Sequence, residues 1–287
     1  MSKVVLSFPG LGIEEFVLDP IAFWQVHWYG LIIVVGMVLA FLYATWRAKQ
    51  LHIKSDHMLD LALFLIPCAV LGARLYYVLT TLGEGGYHSF LDVIAVWNGG
   101  LAIYGGVIAG VITVFAVCRY KKLNTLDVLD CIAPGLILAQ ALGRWGNFCN
   151  GEAFGAVVSE SSPLYFLRMG VISPMSIEKF GDTAMHFVHP TFLYESLWNV
   201  AGFLLLHFFY KKKSFSGEVT LWYATWYGLG RMMIEGLRMD SLMMGPFRIS
   251  QLVAFVCFVG GAACIITKRI LDQRKKKKAS VEGEENG

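Results

Sequence analysis

The amino-acid sequence predicts an all-α integral membrane protein with seven transmembrane helices and a small extracytoplasmic cap. Two features of its composition lead to this fold class. The chain is 56% hydrophobic and only 16% charged, whereas soluble globular domains are about 45–50% apolar and about 25% charged. The third feature is a series of long apolar segments, because a helix needs about 20 apolar residues to cross the hydrocarbon core of a bilayer.

Seven segments have the length and apolarity of a membrane span. The predicted spans are Trp28–Trp46, Met58–Thr80, Trp97–Cys118, Leu126–Asn150, Pro190–Tyr210, Val219–Leu237 and Ile249–Thr267. The second, fourth, fifth and sixth of these contain charged residues, and the other three contain none. We expect residues 1–273 to form one membrane domain, followed by a charged and disordered tail over residues 274–287.

Lysine and arginine residues cluster at alternate ends of the predicted spans. The clusters after spans one, three, five and seven are Arg47, Lys49 and Lys54; Arg119, Lys121 and Lys122; Lys211, Lys212 and Lys213; and Lys268, Arg269 and residues 274–278. Because basic loops remain on the cytoplasmic side, this pattern predicts an N-terminus outside and a C-terminus in the cytoplasm. Residues 151–189 then form the extracytoplasmic cap segment, and the basic tail contacts anionic membrane lipids.

Net charge and cysteine pattern argue against several other kinds of protein. The formal net charge of +3 is too small to indicate nucleic-acid binding. The six cysteines lie in apolar stretches without a C-x-x-C or Cys/His pattern, so we interpret them as small buried residues and expect no metal site. Residues 1–19 lack a basic region followed by an apolar run, so we expect no cleavable signal peptide.

Charged residues near one end of several spans give the main functional signal. A charge at mid-membrane costs roughly 2.5–3.5 kcal/mol on insertion scales, so such residues usually serve a purpose. Arg231, Glu235 and Arg238 share one helix face near the outer end of span six. Arg144 and Asn147 share a face in the last turns of span four, which also ends outside.

Two tyrosines are predicted at this same depth in the outer leaflet, Tyr29 in span one and Tyr104 in span three. The arginines outnumber the neighbouring acids, and arginine binds phosphate through paired hydrogen bonds. A phospholipid head group is therefore the natural ligand. Glycines of span three either allow close helix packing or make room for lipid; they are Gly99, Gly100, Gly105 and Gly106. Glu152, just past span four, is a candidate base, an orienter of arginine or a surface residue.

Five motifs along the chain occur together, in this order and spacing, in one known family. The longest is Gly143-Arg144-Trp145-Gly146-Asn147-Phe148-Cys149-Asn150-Gly151-Glu152, continuing to Gly155. The others are His27-Trp28-Tyr29-Gly30; Trp97–Gly106; His189-Pro190-Thr191 with Leu193-Tyr194-Glu195; and Tyr227-Gly228 with Arg231, Glu235 and Arg238. Together they resemble the prolipoprotein diacylglyceryl transferase family. The resemblance covers nearly the whole chain and is weakest over residues 151–189.

This resemblance implies an enzyme of the bacterial inner membrane that needs no cofactor. It would move the diacylglyceryl group of phosphatidylglycerol onto the lipobox cysteine of a prolipoprotein signal peptide, forming a thioether and releasing glycerol-1-phosphate. By similarity, Arg144 and Arg231 hold the phosphate and stabilise the leaving charge. The other site positions that it implies are Tyr29, Gly99, Gly100, Tyr104, Gly105, Gly106, Asn147, Asn150, Glu152, Gly155, Tyr227, Glu235 and Arg238.

One position departs from the family pattern. Many members carry histidine where this chain has Tyr104, and that histidine has been proposed as the base for the thiol. A tyrosine hydroxyl has an ordinary pKa of about 10, against about 8.5 for a cysteine thiol, so neutral tyrosine is a poor base. We expect the arginine-rich surroundings to favour the thiolate, with Tyr104 or Glu152 assisting. His27 and His189 are interpreted as structural.

The residues alone leave three other functions open. An anion carrier or channel would also line a cavity with arginine, but transporters often contain internal repeats and this chain has none. An intramembrane hydrolase needs a nucleophile with a partnered base, and no Ser/His pair, Gly-x-Ser-x-Gly or His-Glu-x-x-His motif occurs. A structural lipid-binding protein would leave the Arg, Asn and Glu set without a purpose. Without the resemblance, the residues indicate a membrane protein that handles phospholipid.

Overall fold

The computed structural model describes residues 3–19, 21–23, 26–84, 87, 89–239, 243–244 and 247–285. The chain forms two compact units. The first comprises Met1–Ala40 and Ala133–Gly287, and the second comprises Phe41–Ile132. Two long helices, α1 (Trp28–Gln50) and α5 (Thr125–Asn150), contribute residues to both units.

Six helices are long and apolar enough to cross a membrane. They are α1, α2 (Ser55–Thr81), α4 (Ile103–Lys121), α5, α7 (Thr191–Phe209) and α9 (Ile249–Glu285). Large apolar side chains such as Leu42, Leu63 and Val256 are exposed on these helices, as expected of a surface that faces lipid chains. Six predicted spans are therefore confirmed as membrane-competent helices.

The predicted sixth span, Val219–Leu237, forms the helix α8 (Glu218–Glu235) but is not among these six. Its 18 residues contain Glu218, Arg231 and Glu235, so its composition is less apolar than that of the other spans. Within the described residues, the structure thus has six apolar spans where the sequence predicted seven. The difference arises because charges at both ends of α8 interrupt an otherwise apolar helix.

The all-α prediction is wrong for the cap, which contains a four-stranded antiparallel sheet in the order β2-β1-β5-β6. Its strands are β1 (Val4–Phe8), β2 (Ile13–Leu18), β5 (Met169–Ile172) and β6 (His186–Val188). Val5 pairs with Val17 on one side and with Ile172 on the other. Runs of three to six residues are too short for hydrophobic periodicity to separate strand from helix.

One apolar core holds this sheet on the first turns of α7. Val4, Leu6 and Phe8 from β1 are buried with Val171 and Phe192. The short helix α6 (Pro174–Phe180) lies between β5 and β6 and starts with a capping box. Its Ser173 hydroxyl accepts from the Ser176 amide at 3.1 Å and donates to the Gly151 carbonyl at 2.6 Å. That last bond joins the cap to the end of α5.

Two small antiparallel hairpins precede α1 and α9. They are formed by β3 (Ile21–Phe23) with β4 (Val26–His27), and by β7 (Met243–Met244) with β8 (Phe247–Arg248). Short 3-10 helices cover Pro9–Leu11, Leu82–Glu84, Val96–Asn98, Tyr165–Leu167 and Tyr210–Lys212. The last of these extends the span of α7 to Lys212.

In the unit Phe41–Ile132, α2 and α4 pack closely through small residues. A Cβ added at Gly106 would lie 3.3 Å from the Ala69 carbonyl oxygen, and Gly105 faces Gly72 even more closely. This geometry supports the close-packing alternative for the span-three glycines. Gly99 and Gly100 instead have φ of +78° and +68° and precede the helix. Span three was predicted from Trp97, but the helix begins only at Ile103 because these glycines adopt left-handed conformations.

Arg74, buried in α2, has a structural role in this unit. The guanidinium donates to the carbonyls of Asp92, Val93, Gly99 and Gly100 at 2.6, 3.0, 2.6 and 3.2 Å. These carbonyls belong to the short helix α3 (Phe90–Ile94) and the loop after it. Arg74 therefore fixes the connection between α2 and α4.

The C-terminal tail differs from the sequence expectation. We expected disorder over residues 274–287, whereas α9 continues as helix to Glu285. Lysine, arginine, glutamine, alanine and glutamate all have favourable helix propensity, and no proline occurs in this stretch. A helix already established in the apolar span can therefore propagate into the charged tail.

Candidate active site

Glu195, in the second turn of α7, is the centre of a cluster of three arginines. Arg144 Nε lies 3.1 Å from Oε2, and Arg231 Nη1 donates to both carboxylate oxygens at 3.0 Å. Arg238 Nη1 donates to Oε1 at 2.9 Å. Glu195 is only 3% exposed. A buried charge is tolerated when opposite charges and hydrogen bonds surround it, so these arginines keep Glu195 ionised and fixed.

A second ion pair extends the cluster along α8. Arg231 Nη2 lies 2.6 Å from Glu235 Oε2, one helical turn away, as the i,i+4 spacing predicted. The Ser250 hydroxyl donates to the other carboxylate oxygen at 2.5 Å, and Arg248 donates to the Glu235 backbone carbonyl. Glu235 is 1% exposed. The first turn of α9 therefore helps to hold Arg231 through Glu235.

A line of polar side chains runs from Arg144 to Glu152. Arg144 Nη1 donates to Asn147 Oδ1 at 3.1 Å, and Asn147 Nδ2 donates to Glu152 Oε1 at 2.9 Å. Asn150 Nδ2 adds a longer bond of 3.3 Å to the same oxygen. The last turn of α5 ends with the Glu152 amide donating to the Asn147 carbonyl at 3.0 Å. This turn brings Glu152 back to the helix end that carries Arg144.

The loop after Glu152 connects this line to Arg238. Gly155 forms an antiparallel bridge with Arg238, and its amide donates to the His189 carbonyl at 2.9 Å. A Cβ at Gly155 would lie 2.8 Å from His189 Cβ and 2.9 Å from the Leu237 carbonyl oxygen. Ala153 has a left-handed φ of +56°, and Thr191 Oγ1 donates to its carbonyl. Gly155 is needed because backbones approach too closely for a side chain.

Two of the predicted site tyrosines, Tyr29 and Tyr227, belong to the same unit as the arginine cluster. They lie on α1 and α8. Tyr29, in the first turn of α1, packs on Gly146, where an added Cβ would lie 2.7 Å from its ring. Tyr227 lies one turn before Arg231 and stacks on Tyr223 with ring centroids 5.8 Å apart. The close contact at Gly146 brings Tyr29 to the stretch of α5 that carries Arg144 and Asn147.

Comparison with known proteins places the chain in a family. A family model described as prolipoprotein diacylglyceryl transferase matches residues 17–267. The chain belongs to the prolipoprotein diacylglyceryl transferase family. Each of the following relatives is named phosphatidylglycerol–prolipoprotein diacylglyceryl transferase. That of Streptococcus uberis is 42% identical over 260 residues, covering 88% of this chain and 96% of its own. That of Limosilactobacillus reuteri is 42% identical, and the match covers 88% of this chain and 92% of the relative. That of Streptococcus suis is 41% identical, and the match covers 88% of this chain and 93% of the relative.

The arginine cluster of this transferase-family protein retains an excess of positive charge. Arg144, Arg231 and Arg238 face two buried carboxylates, Glu195 and Glu235. The sequence analysis predicted an excess of arginine over acid but did not count Glu195 among the site residues. The side chains of Arg144 and Arg231 remain 21% and 16% exposed, whereas both carboxylates are buried. The cluster can therefore accept an anion at its arginines.

Glu195 occurs in one of the five family motifs but was not included among the predicted site residues. It is the single Asp, Glu, Lys or Arg of the predicted span Pro190–Tyr210, and an isolated intramembrane carboxylate next to intramembrane arginines indicates a partner. Ser250 was not predicted either, because serine near a helix start is common and carries no such signal. Thr191 belongs to the same family motif as Glu195 and was likewise not counted among the site residues.

The remaining predicted site residues belong to the unit Phe41–Ile132. They are Gly99, Gly100, Tyr104, Gly105 and Gly106. Tyr104 lies in the first turn of α4 and is half-buried. Gly105 and Gly106 pack against α2, and Gly100 lies against Arg74 and Tyr77. These glycines have packing roles in their own unit, and a role of Tyr104 in the reaction stays a prediction.

His189, interpreted as structural from the sequence, lies beside the cluster on the strand-to-helix connection. Its Nδ1 is 3.3 Å from the Tyr194 hydroxyl. Burial lowers the pKa of His189 below its ordinary value, so the ring is neutral at neutral pH. A neutral ring adds no further positive charge to the arginines.

Proposed function

We propose that this protein transfers the diacylglyceryl group of phosphatidylglycerol onto the cysteine thiol of a prolipoprotein. Both substrates occur in the names of its relatives. The observation that carries the proposal is the arginine cluster on Glu195, connected through Asn147 to Glu152. Guanidinium groups held rigidly by buried carboxylates suit recognition of a phosphate.

The proposed reaction is a displacement at carbon. The cysteine sulfur attacks the glyceryl carbon that carries the phosphate, so a C–S bond forms as the C–O bond breaks. Glycerol-1-phosphate leaves with the electron pair, and the thiol proton passes to a base or to water. The phosphate changes from a singly charged diester to a monoester with a second charge. Pre-positioned guanidinium donors stabilise such developing charge.

Arg144 and Arg231 are the proposed phosphate ligands. Both side chains are partly exposed. An arginine has five N–H donors, and the described contacts of Arg144 use its Nε and Nη1. Its Nη2 group is therefore available to a phosphate. Glu195 would act as a positioning residue, since its carboxylate binds three arginines without being exposed.

We propose that Asn147 and Glu152 act on the thiol proton of the prolipoprotein cysteine. Two side-chain amides donate to Glu152, which fixes the carboxylate, and a fixed carboxylate can accept or orient a proton. Tyr104 stays a candidate for the same role. We propose that the lipid site is shaped by Tyr29, Asn150, Gly155 and Tyr227.

The finer membrane topology is also a proposal. At about 1.5 Å per residue, the 18 residues of α8 extend about 27 Å, close to a hydrocarbon core of about 30 Å. Its charges are paired within the protein, Glu218 with Arg269 and Arg231 with Glu195 and Glu235. Paired charges facing the protein interior are tolerated inside membranes. We propose α8 as a seventh span, with the N-terminus outside and the C-terminus cytoplasmic in the bacterial inner membrane.

The decisive experiment uses purified full-length protein in detergent. Phosphatidylglycerol and a synthetic lipobox peptide are added, and the peptide mass is measured. We expect a diacylglyceryl mass gain that disappears when the peptide cysteine is replaced by serine. It should fall at least tenfold with Arg144→Ala or Arg231→Ala and persist with Arg119→Ala, an exposed arginine at the end of α4. Folded protein that binds phosphatidylglycerol without a mass gain would indicate lipid binding or transport instead.

A further inference from the structure

A cavity of about 560 Å³ lies between α7, α8 and α9, away from the arginine cluster. Clefts that bind small molecules have volumes of roughly 300–1,000 Å³. Its walls include Leu205 and Phe209 of α7, Trp222 of α8 and Ile265 of α9. We refer to it as the α7–α9 groove. Its lining is apolar apart from two cationic side chains, Lys212 and Arg269.

The groove has fixed walls. Trp198 and Trp226 stack with ring centroids 4.4 Å apart, and each indole donates to the other's backbone carbonyl, at 3.0 and 2.9 Å. Trp226 also packs directly on Gly202, where any added Cβ would collide with the indole. Because Trp226 cannot turn and Gly202 has no side chain, this part of the wall is preorganised.

One of the two cations follows the end of α7, and the other lies in the middle of α9. Lys212 follows α7, with its ammonium 4.7 Å from the Phe209 ring centroid. Arg269 is 42% exposed, and its Nε lies 2.5 Å from Glu218 Oε1. The Ser214 amide donates to the other oxygen of Glu218, which is fully buried. Glu218 thus balances Arg269, and Lys212 adds a further positive charge at this end of the groove.

The groove is separate from the arginine cluster. Glu195 and Lys212 are 17 residues apart along α7 and its 3-10 extension, which is roughly 25 Å at 1.5 Å per residue. Arg231 and Glu235 lie near the end of α8, whereas Trp222 lies near its start. A ligand in the groove would therefore not occupy the proposed transfer site.

We propose that the α7–α9 groove is a second lipid site that holds a phospholipid with an anionic head group. An acyl chain occupies the apolar walls, and the head-group phosphate lies between Lys212 and Arg269. Aromatic and aliphatic walls next to cations match both parts of such a lipid. A water-soluble anion would leave the walls unfilled, and a second copy of the chain would bring its own cations against Lys212.

The test uses full-length protein in phosphatidylcholine nanodiscs that contain phosphatidylglycerol with a photoreactive diazirine in one acyl chain. After illumination, labelled peptides are identified by mass spectrometry. We expect label on the peptides of Leu205–Phe209 and of Ile265. Unlabelled phosphatidylglycerol should reduce it at least threefold, and added phosphatidylcholine should not. Equal displacement by both lipids, or no label in the groove, would overturn the proposal.

Two matched pairs of variants test the head-group and the chain contacts. Lys212→Gln should lower groove labelling at least threefold, whereas Lys211→Gln, at an exposed neighbouring position, should not. Ile265→Trp should fill the groove and abolish labelling, whereas Ile266→Trp, on an exposed side chain, should leave it unchanged. Normal labelling in both groove variants would contradict the site. The measurement does not depend on transferase activity, so it stands or fails separately from the proposed function.

Discussion

The guanidinium of Arg231 binds both carboxylate oxygens of Glu195, each at 3.0 Å. Arg144 and Arg238 contact the same carboxylate from two other parts of the chain. One buried acid therefore sets the positions of three cations that come from α5, α8 and the loop after α8. The predictions below test this arrangement and the elements that support it.

Glu195→Gln keeps the shape of the side chain but removes the charge that three arginines share. Breaking a buried ion pair by removing one partner costs about 3–5 kcal/mol. We expect a lower melting temperature and at least a tenfold loss of transfer in the peptide-mass assay. Glu160→Gln, at an exposed position in the cap, is the control. Wild-type stability and activity for Glu195→Gln would show that the arginines do not need this carboxylate.

Substitutions of the two amides that contact Glu152 should have graded effects. Asn147→Ala breaks both the 3.1 Å bond from Arg144 and the 2.9 Å bond to Glu152, whereas Asn150→Ala removes only a 3.3 Å bond. We expect Asn147→Ala to reduce kcat at least tenfold and Asn150→Ala to reduce it severalfold less. Initial rates with the lipobox peptide measure both. A larger effect at Asn150 would argue against the line from Arg144 to Glu152.

Gly155→Ala should separate two backbones that now touch. The new methyl group would lie 2.8 Å from His189 Cβ and 2.9 Å from the Leu237 carbonyl oxygen, so Arg238 must shift. We expect strong loss of activity together with a destabilisation of roughly 1–3 kcal/mol, as for other overpacked sites. Gly260→Ala in α9 meets no atom within 4 Å and should be neutral or slightly stabilising. Thermal unfolding in detergent distinguishes the two variants.

Tyr104→Phe asks whether the hydroxyl of Tyr104 takes part in proton transfer. If it does, the variant should lose at least tenfold in kcat while its KM for phosphatidylglycerol changes little, because only a hydroxyl is removed. The matched control is Tyr120→Phe, at an exposed position near the end of α4. Full activity of Tyr104→Phe would exclude a proton-transfer role and leave Glu152 as the candidate.

The cap should contain one acid-sensitive contact. His186 Nε2 lies 2.8 Å from Asp182 Oδ1, and hydrogen bonds from His186 and the Ala184 amide lower the pKa of Asp182. A depressed folded-state pKa stabilises the fold above the unfolded value, and that contribution disappears as pH falls through the folded value. We expect the protection factors of the β6 amides, which are corrected for the intrinsic exchange rate at each pH, to fall below about pH 4 in the wild type. Asp182→Asn should exchange faster at neutral pH and show less change with acid.

The long apolar spans were predictable because each carries its own signal within about 20 consecutive residues. Helices such as α1 and α9 begin at the predicted residues, Trp28 and Ile249. The cap sheet was not predictable, since β1 has only five residues and its partner β5 lies more than 160 positions later. Pairings between distant segments leave no local pattern in a single sequence.

In the candidate site, too, contacts between residues close in sequence were predictable and contacts between distant residues were not. Arg231 and Glu235 were placed together from their i,i+4 spacing, and the structure pairs them. The bridge between Gly155 and Arg238 joins residues 83 positions apart, so sequence identified both without showing why they meet. Glu195 carries its own sequence signal, because it is the one Asp, Glu, Lys or Arg in the predicted span Pro190–Tyr210.

The position of β1 in the centre of the cap sheet has a consequence for biosynthesis. During synthesis, β1 can pair with β2 as soon as both strands have been made. The other edge of β1 stays unpaired until β5 has been made, because Val5 pairs there with Ile172. At a translation rate of about 5–20 residues per second, this edge and the apolar side chains of Val4, Leu6 and Phe8 stay uncovered for roughly 10–30 s. The nascent hairpin is thus open to wrong pairing or to proteases while the spans are being inserted. The length of this interval is set by the residues between β1 and β5.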